Sequence, residues 1–217
     1  DRVANHGFSG VCDGHKSVDD EACRRGGSPG ILVWGDSYAM HLVNGVARHS
    51  SLNVLQATFS SCGPTPGLAQ DRRKTLGDAR SGVFRDRCLA FNDRVLEVLQ
   101  SLENVKLVVL SSPFSYYLTG TPMWRVTEHG LVSAPPTRGQ ILDSFAKVVE
   151  AARLRDAEVV VVGPTPRYEK ADMGYCAEKL LAGRWLPPHL SGCVIDRAEA
   201  EVQQRDALDF LADLHEF

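Results

Sequence analysis

The sequence predicts an α/β fold, a three-layer α/β/α sandwich built around a mostly parallel sheet. Four short apolar runs alternate with longer segments in which apolar residues recur at helical spacing. Such an alternation indicates parallel strands joined by crossover helices that cover both faces of the sheet. With 217 residues, of which 43% are hydrophobic, the chain is long enough for one domain with a substantial core.

The predicted strands and helices follow one another without an internal repeat. In chain order they are 31–34, 39–47, 53–58, 85–102, 107–110, 141–152, 159–162 and 198–211. We expect 1–30 to be an irregular lead-in or linker, and 31–217 to be the domain. Segment 111–137 shows no sustained period and is predicted to be a long connection without regular structure. Ligand sites in such sheets lie beyond the carboxyl ends of the strands.

Charge and hydropathy exclude two classes of partner for the chain itself. The formal net charge is −3 and the longest basic run is Arg72-Arg73-Lys74, so nucleic acid is not an expected partner. No apolar run approaches the roughly 20 residues that cross a bilayer, and no signal pattern opens the chain. We therefore expect a soluble piece of a longer protein, or a mature form whose targeting segment lies outside the given sequence.

The six cysteines contain no Cys-x-x-Cys, which disfavours a redox motif or an ordinary zinc ribbon. They fall into neighbouring pairs, and neighbour pairing predicts Cys12 with Cys23, Cys62 with Cys88, and Cys176 with Cys193. In an oxidising compartment each disulfide would stabilise the fold by about 2–4 kcal/mol. The alternative is a metal site formed by Cys12, His15 and Cys23, with or without His6. Its spacing fits no common zinc pattern, so we expect no metal.

A serine stands where the first predicted strand turns into a helix, in Gly35-Asp36-Ser37. Backbone N–H groups at the amino end of a helix can stabilise an oxyanion, so this is a suitable place for a nucleophile. The alternative is that Asp36 or Ser37 only caps the helix.

Four stretches together carry a family resemblance. They are Leu32 to Ser37 with His41-Leu42, Gln56 to Cys62, Cys88 with Phe91-Asn92, and Val162-Gly163-Pro164-Thr165-Pro166 before Cys176. In this order they resemble the SGNH (GDSL-like) hydrolase superfamily. More narrowly, they resemble the extracytoplasmic SGNH domain fused to membrane-bound acyltransferase-3 proteins, which O-acetylate bacterial cell-surface polysaccharides. The resemblance implies an SGNH, flavodoxin-like fold.

The resemblance also assigns site roles. It implies that Ser37, flanked by Gly35 and Asp36, is the nucleophile and gives one oxyanion donor through its own N–H. A second donor would come from the loop after the second strand, through Ser60 or Ser61, although turn chemistry explains these serines equally well. The third block of the superfamily has an asparagine donor, and this chain has Ser111-Ser112-Pro113-Phe114 there. Ser112 or another group would replace that donor, or the oxyanion hole is weaker.

The general base is the largest departure from the pattern. The superfamily places it in an Asp-x-x-His, whereas Asp213 and His215 are two positions apart at the end of a helical segment. We therefore do not assign the general base or its acidic partner to Asp213 and His215. We expect the given sequence to end before the Asp-x-x-His block that would hold them. His41, one helical turn after Ser37, is expected to border the site. Tyr116, Tyr117 and Trp124 either stack on a sugar or anchor their own loop.

The resemblance implies a serine-dependent O-acyltransferase that acts on hydroxyls of a polysaccharide acceptor. It implies a membrane acyltransferase domain in the same polypeptide, acetyl-CoA as the donor for that membrane domain, and no cofactor in this one. The location would be extracytoplasmic, in the periplasm or at the cell surface. A carbohydrate or lipid esterase with the same nucleophile, and a non-catalytic glycan-binding domain, are the alternatives.

Overall fold

The computed structural model describes residues 4–163, 173–183, 193 and 196–215. Its elements in chain order are β1 (Arg24–Arg25), β2 (Ile31–Gly35), α1 (Ser37–His49), β3 (Val54–Thr58), β4 (Leu68–Gln70), α2 (Arg73–Leu76), α3 (Asp78–Ser101), β5 (Leu107–Ser111), α4 (Ser115–Leu118), β6 (Met123–Thr127), β7 (Gly130–Ala134), α5 (Arg138–Arg153), β8 (Glu158–Val162), α6 (Met173–Leu181) and α7 (Arg197–Leu214). None of the described helices is both long and apolar enough to cross a bilayer.

The central sheet confirms the predicted α/β class. Among the described residues it has five strands in the order β1-β3-β2-β5-β8. The four long strands are parallel, and the two-residue β1 runs antiparallel to β3 at one edge. All residues of β2 and β3 are buried, which explains the continuous apolar run of β2, whereas β3 also buries the polar side chains of Gln56 and Thr58.

The two faces of the sheet belong to two separate hydrophobic clusters. Leu32 and Trp34 of β2 face the larger cluster, which includes apolar residues of α3, α5 and α7. Ile31 and Val33 face the smaller cluster, which includes Ala39 and Val43 of α1. Neighbouring residues of a strand point to opposite faces, so β2 holds helices on both sides. This arrangement is the predicted three-layer sandwich.

The prediction that 111–137 has no regular structure is wrong. This segment contains α4 and a hairpin, β6–β7, which joins β4 in an antiparallel sheet of three strands within the described part. The turn of the hairpin ends at Gly130, whose φ of +102° favours glycine. The sequence signal for these strands is weak because Val126 and Leu131 are exposed. Apolar residues therefore do not mark one buried face of the hairpin.

The lead-in packs closely on β3. Three short 3₁₀ turns lie at Gly10–Cys12, Ser17–Asp19 and Glu21–Cys23. The fully buried amide of Gln56 accepts from the Phe8 N–H at 2.9 Å and donates to the His6 carbonyl at 2.8 Å. Buried amides require such partners. The lead-in therefore supplies hydrogen-bond partners for the buried amide of Gln56 in the middle of β3.

Three disulfides lie within the described residues. They join Cys12 to Cys23, Cys62 to Cys88 and Cys176 to Cys193, the neighbour pairs that the sequence favours, with Cα–Cα distances of 5.5, 5.6 and 5.6 Å. The second ties the loop after β3 to α3. Since Cys12 and Cys23 are bonded to each other, neither offers a thiolate to the alternative metal site.

Candidate active site

The site begins with a turn that only glycine can make. Gly35 ends β2 with a φ of +154°. A Cβ on Gly35 would lie 2.0 Å from the carbonyl oxygen of Ser111 and 2.9 Å from the Cβ of Ala39. The missing side chain therefore lets β2, β5 and the start of α1 meet at one point. This contact sets the position of the two residues that follow.

Asp36 caps α1, and Ser37 is the first residue of that helix. The Tyr38 N–H donates to Asp36 Oδ1 at 2.9 Å, which is the N-cap bond. Among the described residues, Ser37 Oγ makes no capping bond, so the capping alternative applies to Asp36 and not to Ser37. The hydroxyl of Ser37 remains available for chemistry at the amino end of a 13-residue helix.

Ser37 opens onto a cavity of ≈350 Å³ at the carboxyl edge of the sheet. One wall is the first two turns of α1, and the other is formed by the ends of β5 and β8. The residues that line it are Ser37, Tyr38, His41, Leu42, Ser111, Val162 and Gly163. The lining is mostly apolar, and the volume lies within the range of about 300–1,000 Å³ that is usual for small-molecule sites.

Behind Ser37, a buried hydrogen-bond chain joins Asp36 to the loop after β5. The Ser112 hydroxyl donates to Asp36 Oδ2 at 3.0 Å, and Ser112 Oγ lies 2.9 Å from Tyr117 Oη. Asp36 is only 4% exposed, and burial raises its pKa to about 6 although bonds from the Tyr38 N–H and Ser112 oppose the shift. Burial, with the charge of Asp36, also raises the pKa of Tyr117.

The same network of buried polar contacts extends to the loop after β3. A Cβ on Gly63 would lie 1.6 Å from Tyr117 Oη, so the phenol occupies the space of the absent side chain. The amide of Asn92 on α3 donates to the Gly63 carbonyl at 3.0 Å and accepts from the Trp34 indole N–H at 3.0 Å. The loops after β2, β3 and β5 are therefore held together by buried polar contacts.

A family model described as the SGNH domain fused to AT3 domains matches residues 11–217. The chain belongs to this SGNH family. The match confirms the resemblance drawn from the sequence motifs and agrees with the α/β architecture. The association of the family with AT3 domains supports an acyltransferase- or esterase-type function and a membrane acyltransferase domain in the same polypeptide. Searches of the curated proteins and of the solved structures gave no match.

In this SGNH domain both second-block serines are engaged by neighbouring side chains. The Ser60 N–H and hydroxyl donate to the two carboxylate oxygens of Asp13 at 2.7 and 2.8 Å. Ser61, with a φ of +64°, accepts at its hydroxyl from Arg72 at 3.1 Å. The Ser60 backbone N–H is therefore already hydrogen-bonded to Asp13 of the lead-in. The role of the Ser61 backbone N–H as an oxyanion donor remains a prediction.

Ser112 occupies the place of the family's third-block asparagine, but it points inward. Its side chain is fully buried and bonds to Asp36 and Tyr117 rather than lining the cavity beside Ser37. Sequence reasoning did not identify Asn92 and Tyr117 as members of this chain of contacts. The one available signal was Asn92, a polar residue between Cys88 and Val95 on the apolar face of α3.

His41 and His215 line different cavities. His41 lines the same cavity as Ser37. His215 lines a different cavity, together with Glu158 at the amino end of β8, and Asp213 pairs with Arg138. Neither Asp213 nor His215 lines the cavity that Ser37 borders. Among the described residues, no histidine is hydrogen-bonded to Ser37 Oγ.

The aromatic residues of 111–137 mostly anchor their own segment. Tyr117 is buried, and the guanidinium groups of Arg73 and Arg85 each lie 4.9 Å from the ring centre of Trp124. Tyr116, 43% exposed, is the one of the three that presents a large surface to solvent. Pro164, Thr165 and Pro166 of the fourth sequence landmark lie outside the described residues.

Proposed function

We propose that this SGNH domain transfers an acyl group, by expectation acetyl, to hydroxyls of a bacterial cell-surface polysaccharide, with Ser37 as the nucleophile. The observation that carries the proposal is the position of Ser37. It starts α1, Asp36 performs the capping in its place, and its hydroxyl borders the cavity at the carboxyl edge. A serine used only for capping would not need that arrangement.

The chemistry follows from this position. Ser37 Oγ attacks the acyl carbonyl of the donor while a base takes its proton, and the backbone N–H at the start of α1 stabilises the oxyanion. The donor's leaving group departs with that proton, which leaves an acyl ester on Ser37. A sugar hydroxyl then attacks this ester, and its proton returns through the base to Ser37 Oγ. The acyl group has moved from donor to sugar, and no cofactor is needed in this domain.

The setting of the reaction is part of the proposal. The three disulfides fit an oxidising compartment, and the AT3 association supports a membrane domain that would supply the acyl group from acetyl-CoA. We therefore place the reaction outside the cytoplasm. The acceptor is a polysaccharide because the fused membrane domains of the resembling family act on cell-surface glycans.

The test measures acetyl release from a chromogenic ester, with and without a polysaccharide acceptor, in the full polypeptide. We expect acceptor to speed release and to become acetylated, and Ser37→Ala to abolish both. Ser51→Ala, a change of an exposed loop serine, is the matched control and should have no effect. Fast hydrolysis that is indifferent to acceptor would favour the esterase. Glycan binding that survives in Ser37→Ala, without any turnover by the natural chain, would favour a non-catalytic binding domain.

A further inference from the structure

We propose that the cavity beside Ser37 is an acyl-binding subsite with room for acyl groups longer than acetyl, and that Leu42 and Val162 limit the chain length. The inference deepens the proposed function and rests on it for the role of Ser37. It names the part of the substrate that the cavity takes, an unbranched or branched acyl chain of about four carbons.

The polarity of the walls favours an acyl chain over a sugar. The Ser111 hydroxyl donates to the carbonyl oxygen of Val162 at 3.2 Å, so two polar groups of one wall already satisfy each other. The rest of that wall and the Leu42 side chain are apolar. A sugar ring packed against this wall would leave the hydroxyls on that side without partners, whereas an acyl chain requires none.

The size of the cavity exceeds what acetyl would fill. A water molecule takes about 30 Å³ in the liquid, so ≈350 Å³ corresponds to roughly ten water molecules. An acetyl group places a single methyl beyond its carbonyl carbon. Most of the space would then remain unfilled by substrate, and each further methylene that enters it removes apolar surface from water.

Leu42 lines the cavity from α1, and Val162 lines it from the end of β8. Both are partly buried and pack against the smaller core cluster, which includes Val43 on α1 and Val109 on β5. Their side chains are therefore held by the core rather than by the ligand. His41, which also lines the cavity, is exposed on α1.

The first test needs no turnover. In Ser37→Ala protein with labelled methyl groups, butyramide should shift the Leu42 and Val162 signals and bind about 15-fold more tightly than acetamide, or fourfold for each added methylene. Leu42→Trp and Val162→Phe, which fill the cavity from opposite walls, should each abolish butyramide binding. Leu131→Trp, on an exposed position of β7, is the control and should bind normally. Equal binding of both amides, or unchanged binding in both filled variants, overturns the inference.

The second test separates the inference from the proposed function. With chromogenic esters, we expect kcat/KM to be higher for butyryl than for acetyl, and Leu42→Trp to lower the butyryl-to-acetyl ratio of kcat/KM about tenfold, whereas Leu131→Trp leaves both values unchanged. Ester turnover without any chain-length preference refutes the subsite and leaves the proposed function intact. Butyramide binding in the cavity without turnover of any ester keeps the subsite and refutes the proposed function.

Discussion

The Ser112 hydroxyl donates to Asp36 Oδ2 at 3.0 Å, from a position 76 residues further along the chain. The bond joins the residue after β5 to the residue directly before Ser37. Since Ser112 also contacts the buried phenol of Tyr117, the turn that holds Ser37 is supported from behind rather than from the cavity. Substitutions at Ser112, Asp36 and Gly35 test how this turn is held.

Ser112→Ala should destabilise the domain. The change removes the Ser112 donor from Asp36 Oδ2 and one of the two side-chain partners of the buried Tyr117 hydroxyl, which keeps Thr65, and we expect a loss of about 1–3 kcal/mol in the free energy of unfolding, measured by urea denaturation. Ser51→Ala, at an exposed site, should change it by less than about 0.5 kcal/mol. If Ser112 were instead an oxyanion donor, kcat would fall about 10²–10³-fold at unchanged stability.

Asp36 should make stability depend on pH. Its pKa rises from 3.8 in the unfolded chain to about 6 in the folded protein, so the folded state binds the proton more tightly. Stability due to this group is therefore highest below pH 4, falls as pH rises from about 4 to 6, and is constant above that. The difference in unfolding free energy between natural protein and Asp36→Asn should change by about 3 kcal/mol across this window. Parallel stability curves from pH 4 to 8 would contradict the assignment.

Gly35→Ala should be strongly destabilising because its Cβ would lie 2.0 Å from the Ser111 carbonyl oxygen, at a φ of +154°. We expect a loss of about 3 kcal/mol or more in thermal or chemical unfolding. Gly45→Ala is the matched control. Gly45 lies inside α1 with nothing within 4 Å of a built Cβ, so alanine there should raise stability by about 0.5–1 kcal/mol. Similar losses in both variants would refute the steric argument.

His41→Asn should lower acyl release less than about tenfold. His41 borders the cavity, but no bond joins it to Ser37 Oγ in the described structure. Steady-state kinetics on a chromogenic ester measures the effect. A general base contributes about 10²–10⁴-fold, so a loss of that size would make His41 the base.

The sequence predicts the central sheet well because the strands at its centre are apolar on both faces, which leaves a continuous apolar run in β2 and in β5. It does not reveal the β6–β7 hairpin, since exposed residues such as Val126 give no periodic signal. In the site, the place of Ser37 follows from a local turn, but its supports do not. The bonds from Ser112 to Asp36 and from Trp34 to Asn92 join positions 76 and 58 residues apart, and no local pattern encodes such pairs.

The packing of the lead-in on β3 changes how this domain can be cut and joined. Asp13 holds both polar groups of Ser60, and Gln56 finds its partners at His6 and Phe8. A fragment or chimera that starts at the predicted boundary after residue 30 would expose those groups to water and loosen the loop after β3. A segment that resembles a linker in sequence is thus part of the folded domain. Tension on the chain ahead of Asp13 would reach Ser60 directly.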